Sequence, residues 1–436
     1  MQFKTRRNQA RPCTTPREVE LGVRGLGAIE DLRQAAGSLT DEVDALVAEW
    51  VDPVLARIAA DLADVTAKTI NDPVWQTIDL EKCEVLLLDS PLMQRLRGVK
   101  QLGLAHLVFP GATHDRFAHS CGIVEATERM LASLQRNAQR RDQGSPLPTI
   151  SPEHRRVVRL AALLHDTGHG PFSHAIEPVV ERLYKDQFSQ LRKKAQTVFS
   201  LDNLPQTAEL LVVLMVCAPK FVDVLRHGSF GGFSPQAIAE QMVACILGAR
   251  AVPSPGRAVP PPFLTAIVSS SIDADKMDYL ARDAHHAGLP IAFDTPRLVS
   301  KLEFLKCNQD TLPKKQSENV DFANAHDERQ YFDLGLADGG VGAFEQMLVN
   351  RAFLYDRLYH HHKVRVADAM AQRLAYYAQK ASQGSLKLKQ LYLNVCNPDV
   401  HASYAHVDGI QAKRREPHFA TARRRLGTKG PRAERW

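Results

Sequence analysis

The stretch Arg159–Glu177, RLAALLHDTGHGPFSHAIE, runs a Leu/Ala-rich helix into an abrupt end at His165-Asp166. Gly168 and Gly170-Pro171 break the helix, and His169, His174 and Glu177 follow within twelve residues of His165. The helix has a clear start at Ser151-Pro152-Glu153, a capping acceptor followed by proline at the first helical position. Adjacent His and Asp side chains face one point only where a helix is ending, which suits a shared metal ion. A His-Asp pair alone also reads as an imidazole capping the negative end of a helix dipole, so further ligands are needed.

Two flanking segments supply candidates. Phe109–Gly122, FPGATHDRFAHSCG, opens a helix at His119 behind a Pro/Gly loop, with His114 and Arg116 just upstream. Ser269–Pro290, SSSIDADKMDYLARDAHHAGLP, places Asp275, Tyr279 and Asp283 at i, i+4 and i+8 on one helical face, beside Lys276 and His286, with Gly288 as the stop. Asp275 and Asp283 also fit a solvated stripe paired with Lys276 or Arg282. Taken together, His119, His165, Asp166 and Asp275 are a nitrogen and oxygen donor set suited to Mn²⁺, Fe²⁺ or Mg²⁺ rather than to a structural zinc.

The rest of the chain reads as mainly α. Residues 38–70 show apolar spacing of three and four, and Pro53 predicts two helical pieces. Ser90-Pro91 starts another helix, and a further helical block covers 342–379. Gly/Pro-rich loops fall at 140–150 and 250–262, and a polar, charge-mixed stretch at 308–329. Strand patterns are few: a short one at Thr77–Leu80 and a weak one at Leu391–Val395. The expected organisation is an N-terminal helical extension (1–70), a core (71–300), a C-terminal helical part completing the site (301–410) and a basic, disordered tail (411–436).

With 436 residues, 44% of them hydrophobic, the chain can bury a sizeable core, which excludes the disordered and disulfide-scaffold classes. Its longest apolar run, Leu210–Ala218, is nine residues, short of the roughly 20 that a membrane span requires, and the basic N-terminus lacks a secretory apolar stretch. A cytoplasmic address with no membrane partner is expected. The seven cysteines form no CxxC pair and read as reduced thiols. Gln411–Trp436 carries nine Lys/Arg against Glu416 and Glu434, so the +6 net charge belongs to the tail and the other residues sum to −1. Any weak nucleic-acid binding is therefore expected through that tail.

Four segments, DSPLMQRLRGVKQLG (Asp89–Gly103), FPGATHDRFAHSCG, LLHDTGHGPFSHAIE and IDADKMDYLARDAHHAG, together resemble the successive signatures of HD-superfamily deoxynucleoside triphosphate triphosphohydrolases. The likeness returns at RAFLYDRLYHHHKV, Arg351–Val364. It implies an HD-domain helical bundle with short peripheral strands, a divalent metal cofactor and hydrolysis of dGTP or several dNTPs to deoxynucleoside and tripolyphosphate. It also implies a homo-oligomer.

Carried over residue by residue, the resemblance implies that His119, His165, Asp166 and Asp275 hold the metal, and that His174, Glu177 and His169 assist hydrolysis. Gln101 and Leu102 would meet the sugar, Arg116, Lys276 and Arg351 the phosphates, Tyr279 the nucleoside side, and Asp283 and Tyr359 the sugar end. His174 and Glu177, three residues apart, are expected on one helix face.

The chain departs from the family in two places. A further His-Glu motif normally follows the HD helix, but SLDNLPQTAELLVVLMV (Ser200–Val216) has no histidine, leaving His114 and His286 as candidate substitutes. The last motif carries an extra residue and the run His360-His361-His362 before Lys363. These departures leave two alternatives: an HD phosphohydrolase or phosphodiesterase acting on another nucleotide phosphate ester, and a catalytically weakened nucleotide- or nucleic-acid-binding regulator.

Overall fold

The computed structural model describes residues 17–60, 65–141, 147–201, 203–249, 259–291, 294–308, 330–382, 387–389 and 391–392. The basic tail expected at 411–436 lies outside them. The described chain begins with α1 (Arg17–Ala36) and α2 (Ser38–Ala59), then the hairpin β1 (Lys68–Asp72) and β2 (Gln76–Leu80). Short α3 (Lys82–Leu88) and α4 (Pro91–Gln94) lead to the long α5 (Arg116–Arg141) and α6 (Pro152–Leu164). There follow α7 (Glu177–Leu183), α8 (Lys185–Phe199), α9 (Thr207–Val216), α10 (Pro219–Val224), α11 (Pro235–Ile246), α12 (Pro262–Val268), α13 (Ala274–Ala287) and α14 (Thr295–Ser300). A second hairpin, β3 (Leu302–Asn308) and β4 (Gln330–Leu336), precedes α15 (Val341–Leu354) and α16 (His362–Ala381). The architecture is a helical bundle with short strands at its periphery.

Local chemistry explains the helix ends. Ser151 Oγ accepts from His154 N at 3.2 Å ahead of Pro152, and Ser234 repeats the device for α11. Asp273 accepts from Lys276 N at 2.8 Å to start α13, and Gly288, at φ +66°, ends it in the left-handed conformation. The apolar helix α9 is buried from Leu210 to Val216, which accounts for the long apolar run as an interior helix. No described helix is long and apolar enough to cross a membrane.

Helix α5 packs against both α6 and α13, while α11 covers α6 from behind. Since α5 and α13 begin, and α6 ends, at the same place, the sequence motifs at those ends meet.

Three details differ from expectation. Helix α2 runs unbroken through Pro53, because Val47, Trp50, Val51 and Val54 on either side are all buried, and their packing outweighs the missing backbone donor. The region from 301 onward opens with a hairpin rather than helix: β3 and β4 pair antiparallel from Leu302↔Leu336 to Asn308↔Gln330. Phe304 meets the Phe263 ring edge-on at 4.9 Å, so this hairpin is held by packing on α12 that no local pattern announces. Finally, Leu391 and Tyr392 lie in a helical turn, Leu391 N bonding Lys387 O at 3.1 Å, and do not form a strand.

Candidate active site

His165 and His119 are turned toward each other by the partners of their Nδ1 atoms. His165 Nδ1 lies 2.8 Å from the carbonyl of Ala162, which can only accept, so Nδ1 carries the proton and the lone pair sits on Nε2. That Nε2 is buried without a hydrogen-bond partner, 3.3 Å from Asp166 Oδ1 and 3.9 Å from Asp275 Oδ1. His119 directs Nδ1 to Asp278 Oδ2 at 2.7 Å, leaving Nε2 3.1 Å from Asp275 Oδ1 and 3.5 Å from Asp166 Oδ2.

Donor atoms of His119, His165 and Asp166 all fall within 4.8 Å of one another, and Asp275 closes the group. Two outward-facing imidazole nitrogens, one of them orphaned, beside two carboxylates fit a divalent cation bound through N and O donors. Burial would raise the Asp166 pKa, but Arg116, His165 and His169 hold it well below the usual carboxylate range. Burial likewise opposes protonation of His119, yet Asp275, Asp278 and Asp166 push its pKa up to about 10 when no cation competes.

Asp278 was not singled out by its motif. Its Oδ1 accepts from Trp75 Nε1 at 2.6 Å, and both of its oxygens accept from Arg282 at 2.8 Å. Arg282 in turn bonds Asp72 Oδ2 at 2.8 Å. The i, i+4 spacing of Asp278 and Arg282 could have flagged the ion pair, but not its hold on His119. Gly122 makes room for it, since a Cβ there would lie 1.9 Å from Asp278 Oδ1.

A second group adjoins the first. Glu177 Oε1 lies 2.8 Å from His169 Nδ1 and 2.9 Å from His174 Nδ1, while His169 Nε2 is 3.3 Å from Asp166 Oδ1. His174 and Glu177 do not share one α-helix as their spacing suggests. Phe172 and Ser173 adopt φ of 61° and 55°, His174 sits in a tight turn, and Glu177 is the first residue of α7. This kink leaves the His174 side chain 64% exposed to the cleft interior. The cleft walls, with His169 and Arg116, lower the His174 pKa, and the two imidazoles hold Glu177 ionised against its burial.

Both groups open onto a cleft of about 480 Å³, also lined by Gln101, Leu102, Arg116, Lys276, Tyr279, Asp283, Arg351 and Tyr359. Arg116 bonds Asp166 and Ser173. Lys276 Nζ pairs with Asp273 Oδ2 at 2.6 Å and donates to Ser270 O at 2.9 Å. The Arg351 guanidinium lies 5.3 Å from the Tyr355 ring centroid with Nε unpartnered, and Gln101 Oε1 is buried without a partner. Asp283 accepts from Tyr359 Oη at 2.5 Å and sits 2.7 Å from His114 Nε2.

His114 thus serves Asp283, its ring stacked on His286 at 4.5 Å, and neither histidine lines the cleft. Where a family His-Glu motif was expected, the α9 wall presents Gln206, Ala208 and Glu209 instead. The extra residue of the last motif falls beside a π-helical turn, Tyr355–Tyr359, closed by His360 N to Tyr355 O at 2.9 Å. Arg351 and Tyr359 still reach the same cleft.

These features are those of an HD domain, and residues 116–212 match that family, with 327–399 matching the HD associated region. The chain thus carries an HD domain and resembles HD-superfamily dNTPases. It is 33% identical over 238 residues to deoxynucleoside triphosphate triphosphohydrolase SAMHD1 of Xenopus laevis, covering 53% of this chain and 36% of the frog protein. It is 29% identical over 313 residues to the Homo sapiens protein of that name, 70% of this chain and 44% of that one. It also resembles the uncharacterized protein YwfO of Bacillus subtilis, 28% identical over 315 residues, 72% of this chain and 56% of that one. The chain thus spans roughly half or less of the length of these relatives.

Proposed function

We propose that the protein hydrolyses deoxynucleoside triphosphates, dGTP or several dNTPs, to deoxynucleoside and tripolyphosphate. The observation that carries this is one cleft gathering the His119–His165–Asp166–Asp275 donors, three cationic side chains and the Gln101, Tyr279, Asp283 and Tyr359 group. A divalent cation held by the four donors would neutralise phosphate charge and make a nearby water more acidic. Arg116, Lys276 and Arg351 would bind a triphosphate, whose charge requires several fixed cations. Attack of water at the α-phosphorus breaks the Pα–O5′ bond. The water oxygen stays with tripolyphosphate, and O5′ leaves with a proton. His174, whose pKa is lowered chiefly by desolvation and whose Nδ1 lies 2.9 Å from Glu177 Oε1, is the group placed to transfer protons, with His169 between Glu177 and Asp166.

The test is product analysis on each dNTP with Mn²⁺ or Mg²⁺, using Asp166→Ala as control. Deoxynucleoside plus tripolyphosphate, lost in the control, is the expected result; no turnover of any dNTP by metal-loaded protein overturns the reading. A second reading, hydrolysis of another nucleotide phosphate ester, is favoured by Gln206 and Glu209 standing on the α9 wall in place of an imidazole.

We also propose a homo-oligomer, a reading supported by the exposed apolar stripe Val366, Met370, Leu374 and Tyr377 on α16.

A further inference from the structure

The turn that joins Asp166 to His169 is gripped from behind. The carbonyls of Thr167, Gly168 and His169 are consecutive and buried, and each needs a donor. Arg95 supplies two, its guanidinium bonding Thr167 O and, at 2.8 Å, His169 O. Tyr392 Oη supplies the third, to Gly168 O at 2.7 Å.

The two side chains also hold each other, for the Arg95 guanidinium lies 5.5 Å from the Tyr392 ring centroid and 4.6 Å from that of Trp50. Arg95 and Tyr392 are each 1% exposed, and neither lines the cleft. Gly170 allows the approach, since a Cβ there would already be 3.1 Å from Tyr392 Cζ.

Tyr392 arrives from far along the chain on an anchored segment. Leu388 N donates to Glu42 Oε2 at 3.1 Å and to Tyr184 Oη at 3.0 Å, and Lys389 pairs with Glu49 at 2.6 Å. Leu388 and Leu391 are 0% and 1% exposed. The segment is therefore fastened to α2 and to the α7–α8 junction at one end and to the backbone of the HD turn at the other.

Fixing three successive carbonyls fixes the peptide planes from Thr167 to Gly170, and the bond from His169 N to Asp166 O at 3.1 Å ties Asp166 to that held turn, so the directions of both side chains are constrained. We propose that Tyr392 and Arg95 are positioning residues for the metal centre, and that the segment bearing Leu388, Leu391 and Tyr392 is a strap that sets its geometry from outside the cleft. This rests on the metal-centre reading of His119, His165 and Asp166 and not on the identity of the substrate.

Mn²⁺ binding to the full chain, measured by isothermal titration, tests it. Tyr392→Phe removes one hydroxyl and keeps the ring, and an affinity about tenfold weaker is expected, as for loss of other groups that orient ligands. Thr265→Val is the control: it removes another buried hydroxyl, bonded to Ala249 O at 2.6 Å and outside both the strap and the turn, and it should leave Mn²⁺ affinity unchanged. Equal affinity of Tyr392→Phe and the unaltered chain overturns the proposal, as does a parallel loss in both variants, which would mark a general structural role. An unaltered chain that binds no Mn²⁺ overturns the metal-centre reading itself.

Reciprocity gives a measurement that needs no variant: if the strap favours cation binding, the cation must stabilise the strap. Hydrogen exchange of the peptide spanning 388–392 should slow on adding Mn²⁺, and unchanged exchange there overturns the proposal.

Discussion

His119 and His165 are oriented by what their other ring nitrogens contact, one a buried carboxylate and one a backbone carbonyl. Asp278 is the less replaceable of these partners, because it also answers Trp75 and Arg282. Asp278→Asn is expected to lower Mn²⁺ affinity by about 10- to 100-fold, measurable by titration calorimetry. The His114–His286 stack makes a different prediction, about pH. Burial, then His114, His285 and Arg282, lower the His286 pKa to about 4, with Asp283 opposing.

Because the unfolded histidine titrates near 6.5, the unfolded chain takes up this proton first as the pH falls. The stabilising contribution is therefore whole above about 6.5 and is lost as the pH falls toward 4. His286→Gln should flatten the decline of thermal midpoint between pH 7 and 4.5; an unchanged slope would refute the assignment. Residue types at the site were legible because each motif concentrates donors locally. The Asp278 and His114 contacts were not, since they join residues 159 and 169 positions apart.

At the scale of elements, helix boundaries place the chemistry. Helices α5 and α13 begin, and α6 ends, beside the same point, so side chains that would otherwise spread round a helix converge. The Ser-Pro starts and the Gly288 stop were readable because capping is a local interaction. Continuity of α2 was not, since burial of Trp50, Val51 and Val54 overrides the local signal of Pro53. Pro53→Ala restores a backbone donor inside an already formed helix and should raise stability by about 1–3 kcal/mol, seen in denaturant unfolding. A lower stability would mean that the proline shapes the packing of α2 rather than being tolerated by it.

At the scale of the whole molecule, one hydrophobic core runs from Ile29 to Tyr392, so the described N- and C-terminal parts frame the HD domain. The outer face of α16 leaves Met370 67% and Leu374 57% exposed, more than a lone surface helix has reason to show. Met370→Glu with Leu374→Glu is expected to shift the protein to a smaller species in light scattering after size exclusion, with little change in thermal midpoint. An unchanged mass would remove α16 from the interface.

By itself the sequence determined the helical class, the local clustering of His and Asp residues and the turn that breaks after Asp166, because propensity, capping and residue type act over a few neighbours. Tertiary structure alone decided which nitrogen of each imidazole faces the centre, that His114 serves Asp283, and that β3 finds β4. It also decided that Tyr392 closes on Gly168 across 224 positions. These choices follow from burial and hydrogen-bond satisfaction between segments that have no local pattern in common.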